Sequence, residues 1–369
     1  MSNFKFFIIH WLAFCGPMNS NRDEQGRPKR SLIGGTMRGR HSSQMIKKYL
    51  GDFFRQKMNG GAEKKYETSV QSSLVGQQAY EQLIEGGVEK GVAEEITYGI
   101  LSAFIDVEKK KEKAKKDADK DEKKKKKPKK DPFKMEAIKL QGCEYVAIQN
   151  LIKRVIEGYL PEQKDYDFLE RNRAVDNALF GRMLAKRPQY DVDASLAMAQ
   201  GFSVNECPTE EDYFTATDTL QKDSGHKGSA HLDKFYYHQG CFYYSMIIDI
   251  ELLIANLQDN KELAKEVIQE LIKLSAMASP TANKNRCAGS QRWASYLMVE
   301  KANEFPRQLG LAFETPIEGP NVTEKAINAL EQTKESFDKT FYPLPSEALD
   351  QVHQRGNLQS VLDFVKEGF

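Results

Sequence analysis

Cysteine is scarce in this chain of 369 residues: Cys15, Cys143, Cys207, Cys241 and Cys287 stand far apart, with no C-x-x-C pair. An odd number at that spacing argues against a disulfide framework and against a zinc site, so a reducing compartment is the simplest expectation. Long apolar runs are missing too. Nothing approaches the ~18 residues that a membrane helix needs. The apolar opening, Phe4 to Phe14, is interrupted by Lys5, His10 and Trp11, and no A-x-A-type cleavage site follows it. Gly34-Gly35 lacks the G-x-x-x-x-G-K-[ST] spacing of a phosphate-binding loop, and neither H-E-x-x-H nor a nucleophile elbow occurs. These absences predict a soluble, cytoplasmic protein with no catalytic residues, no metal and no cofactor, and no membrane partner.

What the chain does have is segregated charge. The whole is only +1, yet between Arg22 and Lys57 ten Lys/Arg face three acids, an excess of seven. The run 108–130 holds fourteen Lys against six acids, an excess of eight, which leaves the remainder at −14. Segregation of this kind makes a binding face where the average hides one. For the lysine-rich run, a solvated loop is the simpler expectation and a direct nucleic-acid arm the sharper one.

Phe4–Phe14 predicts a buried first strand ended by Gly16 and Pro17. A loop over residues 19–40 follows, with turns at Pro28 and Gly34-Gly35. Ser42 or Ser43 can cap the next helix, whose stripe is Met45, Ile46, Tyr49, Leu50, Phe53, Phe54 and Met58. Lys47 and Lys48 sit in its first two turns, where the helix dipole disfavours a cation by about 0.3–1 kcal/mol. A phosphate would remove that conflict, drawing on free backbone N–H groups, serine hydroxyls and lysine charge. The adjoining loop would add Lys29, Arg38 and Arg40. Residues 59–184 read as largely helical. Residues 203–234 are polar and glycine-bearing, long for a plain loop, so a projecting segment is expected. There Tyr213, Phe214 and Leu232 are candidates to meet bases, since stacking is worth about 1–3 kcal/mol and ignores sequence. Cys241–Ile250 and Ser295–Val299 predict strands, Leu263–Met277 a helix and Ser346–Val365 a closing helix. The pattern fits an α+β, ferredoxin-like sheet with helices on one side. His231 suits a hydrogen-bonding loop histidine better than a catalytic base. Asp23 suits an Asx turn better than an RNA-cleaving acid.

The segments FFIIHWLAF, NRDEQGRPK and GGTMRGRHSSQMIKK, then ALFGRM (Ala178–Met183), DVDASLAMAQ, DYFTATDTLQ, GSAHL and Pro280-x-x-x-Lys284-x-Arg286, resemble the CasC family. That family is the backbone subunit of the type I-E CRISPR Cascade complex, and the likeness runs from residue 4 to about 300. It implies an RRM-like palm (1–58, 195–202 and 235–369, ending in a helix), a helical fingers insertion (59–194) holding the lysine-rich loop 108–130, and a β-hairpin thumb (203–234). It implies a non-catalytic subunit that oligomerises along the CRISPR guide RNA, each thumb folding over a kinked nucleotide so that the segments between kinks pair with a target DNA strand. Its partners would be the guide RNA, the target strand, neighbouring copies, and the large, small, five-prime-handle-capping and RNA-processing Cascade subunits. Family phosphate-binding positions match Arg22, Lys29, Ser42, Gln44, Lys47 and Lys48, the kink methionine matches Met183, and thumb contacts match Tyr213, Phe214, Thr215, Thr217 and Leu232. Tyr213 stands where a better-known member has tryptophan, and past Pro306 the resemblance thins. The alternative is an RNA-cleaving backbone of type III-like character using Asp23.

Overall fold

The run Phe7–Ala13 is apolar apart from His10 and shows no polar alternation, which makes a strand that must be covered on both faces. The computed structural model describes residues 4–59, 66–107, 132–217, 229–290 and 292–369, with the side chains of 216, 217 and 229–232 outside the description. The lysine-rich run 108–130 therefore lies outside it. In chain order come β1 (Phe6–Met18), β2 (Arg30–Ile33), β3 (Thr36–His41) and α1 (Ser43–Asn59). Next are β4 (Ser69–Ser72), α2 (Val75–Glu85), α3 (Lys90–Ser102), β5 (Ile138–Gln141), α4 (Gly142–Ile156) and α5 (Val175–Phe180). β6 (Leu196–Met198) and β7 (Gly201–Ser203) lead to β8 (Glu210–Thr217) and the long β9 (Ser229–Asp249). α6 (Ile250–Asn256), α7 (Lys261–Met277), β10 (Tyr296–Ala302), α8 (Val322–Thr340), β11 (Ser346–Asp350) and α9 (Leu358–Lys366) complete it. No helix among the described residues is long and apolar enough to cross a membrane.

The chain divides into two compact units, the first Met1–Phe54, Leu196–Leu252 and Lys261–Phe369, the second Arg55–Ser195 and Leu253–Asn260. In the first, the sheet order is β11-β10-β1-β9-β7-β3-β2, with β6 and β8 also on β9. β1 is antiparallel to both neighbours, Ile9 opposite Val299 on one side and Met246 on the other. One face packs Leu12, Tyr243, Tyr296 and Met298 against Leu309, Phe313 and Ala326, Ile327 and Leu330 of α8. On the other, Trp11 stacks on Tyr244 with centroids 5.0 Å apart, Ser275 of α7 reaches Met246 Sδ, and the Lys301 ammonium lies 3.6 Å over the Phe364 ring of α9. Each fully buried large side chain contributes about 1.5–3 kcal/mol.

The α+β expectation holds, with an antiparallel sheet, but helices on one side does not. Every residue of β10 is buried, Glu300 and Lys301 included, and a strand so placed needs two covering layers. The helix expected over Ser346–Val365 is instead β11, a turn and α9. The turn is residues 351–354, with Gln354 at φ +54° and the Asp350–Arg355 bridge closing it; Gly356 follows at φ +60°, where an added Cβ would overlap Ala348 O. The loop expected over residues 19–40 contains the β2–β3 hairpin, with Gly34 at φ +54° and Gly35 at φ +75° forming its two-residue connection. β1 also runs past Gly16 and Pro17, through a register shift between Cys15 and Met18.

In the second unit, α2, α3 and α4 bury Leu83, Ile96, Ile100, Leu101, Ile148, Leu151 and Ile152 in one core. This unit also holds a β4–β5 ribbon, Val70 opposite Leu140, which the helical expectation over 59–184 missed. Four-residue strands give too short an alternation to stand out.

Candidate nucleic-acid interface

The start of α1 is built as the cap rule requires. Met45 N–H donates to Ser42 Oγ at 3.3 Å, and Ser42 N–H donates to Asn21 Oδ1 at 2.9 Å. Ser42 is thus buried and occupied as the cap, which leaves its hydroxyl committed to the helix. No acid stands in the first turn. Gln44 and Lys48 are exposed, Lys48 pairing with Asp52 one turn on. Lys47 is half-buried: its Nζ donates to Leu196 O at 3.3 Å, and burial lowers its pKa.

The arm before the hairpin is folded on itself. Asp23 Oδ1 accepts from Gln25 N–H and Arg27 N–H, both at 2.9 Å, an Asx-type turn as the residue pattern predicts. Lys29 N–H donates to Asn21 O at 2.8 Å, and Arg22 and Pro28 form a bridge. This turn holds Arg22 and Arg27 exposed and Lys29 half-exposed. Arg27 also lies 5.2 Å over the Tyr236 ring of β9.

Arg38 requires a correction. Expected among the phosphate ligands, it is fully buried, and its guanidinium donates to the carbonyls of Ser203, Val204, Phe313 and Glu314. Met37 and Arg38 point to opposite faces of β3, Met37 outward and Arg38 inward, where Arg38 ties β3 to two distant chain segments. Arg40 is half-exposed and donates to Gln200 Oε1 at 2.6 Å.

Two further segments join the arm. Asn283 donates its amide to Asn19 O at 2.7 Å, tying the basic connection between α7 and β10 to the arm's base. From that connection the exposed Arg286 lies 5.3 Å over the Phe214 ring of β8 and 5.7 Å over Phe235 of β9, and Lys284 is exposed beside it. A cation over two rings fixes both without losing its charge. Arg22, Arg27, Lys29, Lys284 and Arg286 therefore belong to one set of mutually tethered segments, with the β8–β9 ribbon.

On β8, Tyr213 is 58% exposed, whereas Phe214 is half-buried under Arg286, as alternation along a strand dictates. Thr215 is exposed and sits opposite Leu232 in the register. The side chains of Thr217, Leu232 and His231 lie outside the described residues. Met183 belongs to the second unit, 77% exposed between Arg182 and Leu184, both buried. Arg182 Nη1 donates to both oxygens of buried Glu144 at 2.9 and 3.0 Å, which anchors Met183's neighbour.

Beneath the arm, Arg292 Nη2 donates to Tyr244 Oη at 2.6 Å, Tyr244 meets His41 Nδ1 at 2.8 Å, and His41 Nε2 meets Ser20 Oγ at 3.3 Å. Burial, then Arg292 and His238, hold His41's pKa well below the ordinary histidine range, so it accepts from Tyr244 as the neutral ring. This relay runs from the α7–β10 connection to the residue before the α1 cap. Arg27 was counted in the basic excess without being singled out, and Phe235, Tyr236 and Arg292 were not singled out in the sequence; the aromatic run 235–237 was the available signal for the two rings.

A family model described as CT1975-like protein matches residues 8–362. A search of the curated proteins finds no match to the chain. Among solved structures, a chain titled "CRISPR RNA-guided surveillance complex, pre-nicking" is similar at 20% identity and TM-score 0.79, over 99% of this chain and all of that one. Another, titled "CRISPR RNA-guided surveillance complex", is similar at 17% identity and TM-score 0.67, over 98% of this chain and 99% of that one. At these identities the likeness establishes a shared fold.

Proposed function

The chain belongs to the CT1975-like protein family, and from that premise we propose that it is a non-catalytic backbone subunit of a type I-E CRISPR RNA-guided surveillance complex. It binds the phosphates of a guide RNA, repeats along that RNA as neighbouring copies, and kinks it so that the exposed segments pair with a target DNA strand. The large, small, five-prime-handle-capping and RNA-processing subunits would be its other partners, in the cytoplasm.

The observation that carries this proposal is the tethering of three distant chain segments into one basic, aromatic-bearing set: the arm with Arg22, Arg27 and Lys29, the connection with Lys284 and Arg286, and the β8–β9 ribbon. Basic groups that track phosphates beside aromatic rings are what single-strand binding needs. The order β10-β1-β9-β6/β7 supports an RRM-like palm, and the ribbon extending from it supports a thumb. Met183, exposed between anchored neighbours, suits the part of a wedge at a kink. Titles of the similar structures support the same complex.

Arg22→Glu with Lys48→Glu tests the proposal, because both side chains are exposed and neither holds the fold together. RNA retention should fall steeply while the melting temperature stays within a few degrees, and the slope of log K against log salt should shrink by about 0.7 for each phosphate no longer neutralised. Unchanged RNA content in the purified variant would contradict it. For Asp23, the two backbone N–H groups on its Oδ1 favour the turn role over RNA cleavage.

A further inference from the structure

The connection between α7 and β10 carries one residue that the proposed interface has not used. Trp293 is 71% exposed, although a tryptophan ring is among the largest apolar surfaces a chain can bury. Its backbone is held on both sides. Arg292 N–H donates to Ser279 Oγ and Ser279 Oγ to Arg292 O, both at 2.8 Å; Ala294 N–H donates to Ala276 O at 2.7 Å and Ser295 N–H to Leu12 O at 2.8 Å. Arg292 and Ala294 point their side chains inward and are buried. The ring is thus presented outward on a fixed backbone.

The connection that carries it favours an anion. From Leu271 to Val299 there is no Asp or Glu, and Lys284 and Arg286 lie exposed in that stretch, whereas Lys273 pairs with Glu270 and Arg292 is buried on Tyr244. The same connection is tied to the arm through Asn283 and Asn19, and Arg292 reaches His41, beside the α1 cap, through Tyr244. We infer that Trp293 is a second stacking platform, taking the face of a nucleobase from a single strand whose phosphates lie on Lys284 and Arg286. This inference rests on the nucleic-acid function proposed above. Stacking is indifferent to base identity, so the ligand class is any unpaired nucleobase, from the guide RNA or from a DNA strand.

The tryptophan count makes the test direct. The chain has two: Trp11, 1% exposed and stacked on Tyr244, and Trp293. Titrating the purified protein with single-stranded RNA, and separately with single-stranded DNA, should quench the exposed component of the fluorescence and shield it from acrylamide. Trp293→Phe should remove that signal and keep most affinity, and Trp293→Ala should weaken binding roughly 5- to 150-fold with the unfolding midpoint held. Quenching by one polymer and not the other names the strand that stacks, and either supports the inference. Binding seen by anisotropy of a labelled strand, with Trp293 emission and acrylamide access unchanged for both polymers, overturns it, as does burial of Trp293 by self-association without nucleic acid. Absence of any binding by anisotropy would instead refute the proposed function itself.

Discussion

Arg38→Ala separates a structural cation from a ligand-binding one. The substitution removes donors to Val204 O at 2.8 Å and Ser203 O at 3.0 Å, and to Phe313 O at 3.2 Å and Glu314 O at 3.4 Å. A hydrogen bond from a charged donor contributes about 1.5–3 kcal/mol, the longer two contribute less, and the vacated volume adds to the loss. The expected destabilisation is about 3–5 kcal/mol, a large share of the roughly 5–15 kcal/mol that a folded domain has. Both tryptophans lie in the first unit, so urea unfolding followed by their fluorescence reports on that unit. The folded fraction of the variant should bind RNA as the parent does. A variant with an unchanged urea midpoint and weakened RNA binding would refute the reasoning and return Arg38 to the phosphate ligands.

Three further outcomes are expected. Gly34→Ala should destabilise by more than about 2 kcal/mol, because φ is +54° and the new Cβ would overlap Glu314 O; Gly35→Ala, with open space around it, should lose only about 1 kcal/mol in the same denaturation assay. Burial, then Arg30, pushes His238 down to about 4, so its contribution to stability is complete above the unfolded value near 6.5 and is lost as pH falls from about 6.5 to about 4. His238→Gln should flatten the stability profile over that window, and an unchanged slope would count against a buried neutral ring. Tyr213→Ala should loosen RNA kinks, measured by chemical probing for periodic flipped bases, while Phe214→Ala should also lower stability, because its ring lies under Arg286.

Much of the first unit was legible because its signals are strong. β1 and the Cys241–Ile250 segment read as buried strands from long apolar runs, and α7 from its stripe. Ser42 as a cap and Asp23 as a turn former followed from side-chain chemistry with local partners. Arg38 was misread because charge in a sequence carries no burial: Arg38 and Arg40 share one face of β3, and only the distant carbonyls of Ser203, Val204, Phe313 and Glu314 decide that Arg38 is the buried one. α8 was missed because Ala326, Ile327 and Leu330 form a narrow stripe in an otherwise polar segment. The closing helix was over-extended because β11 reads SEALD, a poor strand sequence held by pairing with β10. The meeting of Asn283 with Asn19, 264 residues apart, was beyond any local pattern.

The central claim is that copies repeat along one RNA. Native mass measurement of the protein mixed with RNAs of increasing length tests it most directly. The account predicts a ladder in which each fixed increment of RNA admits one more copy. A single copy bound regardless of RNA length would contradict it.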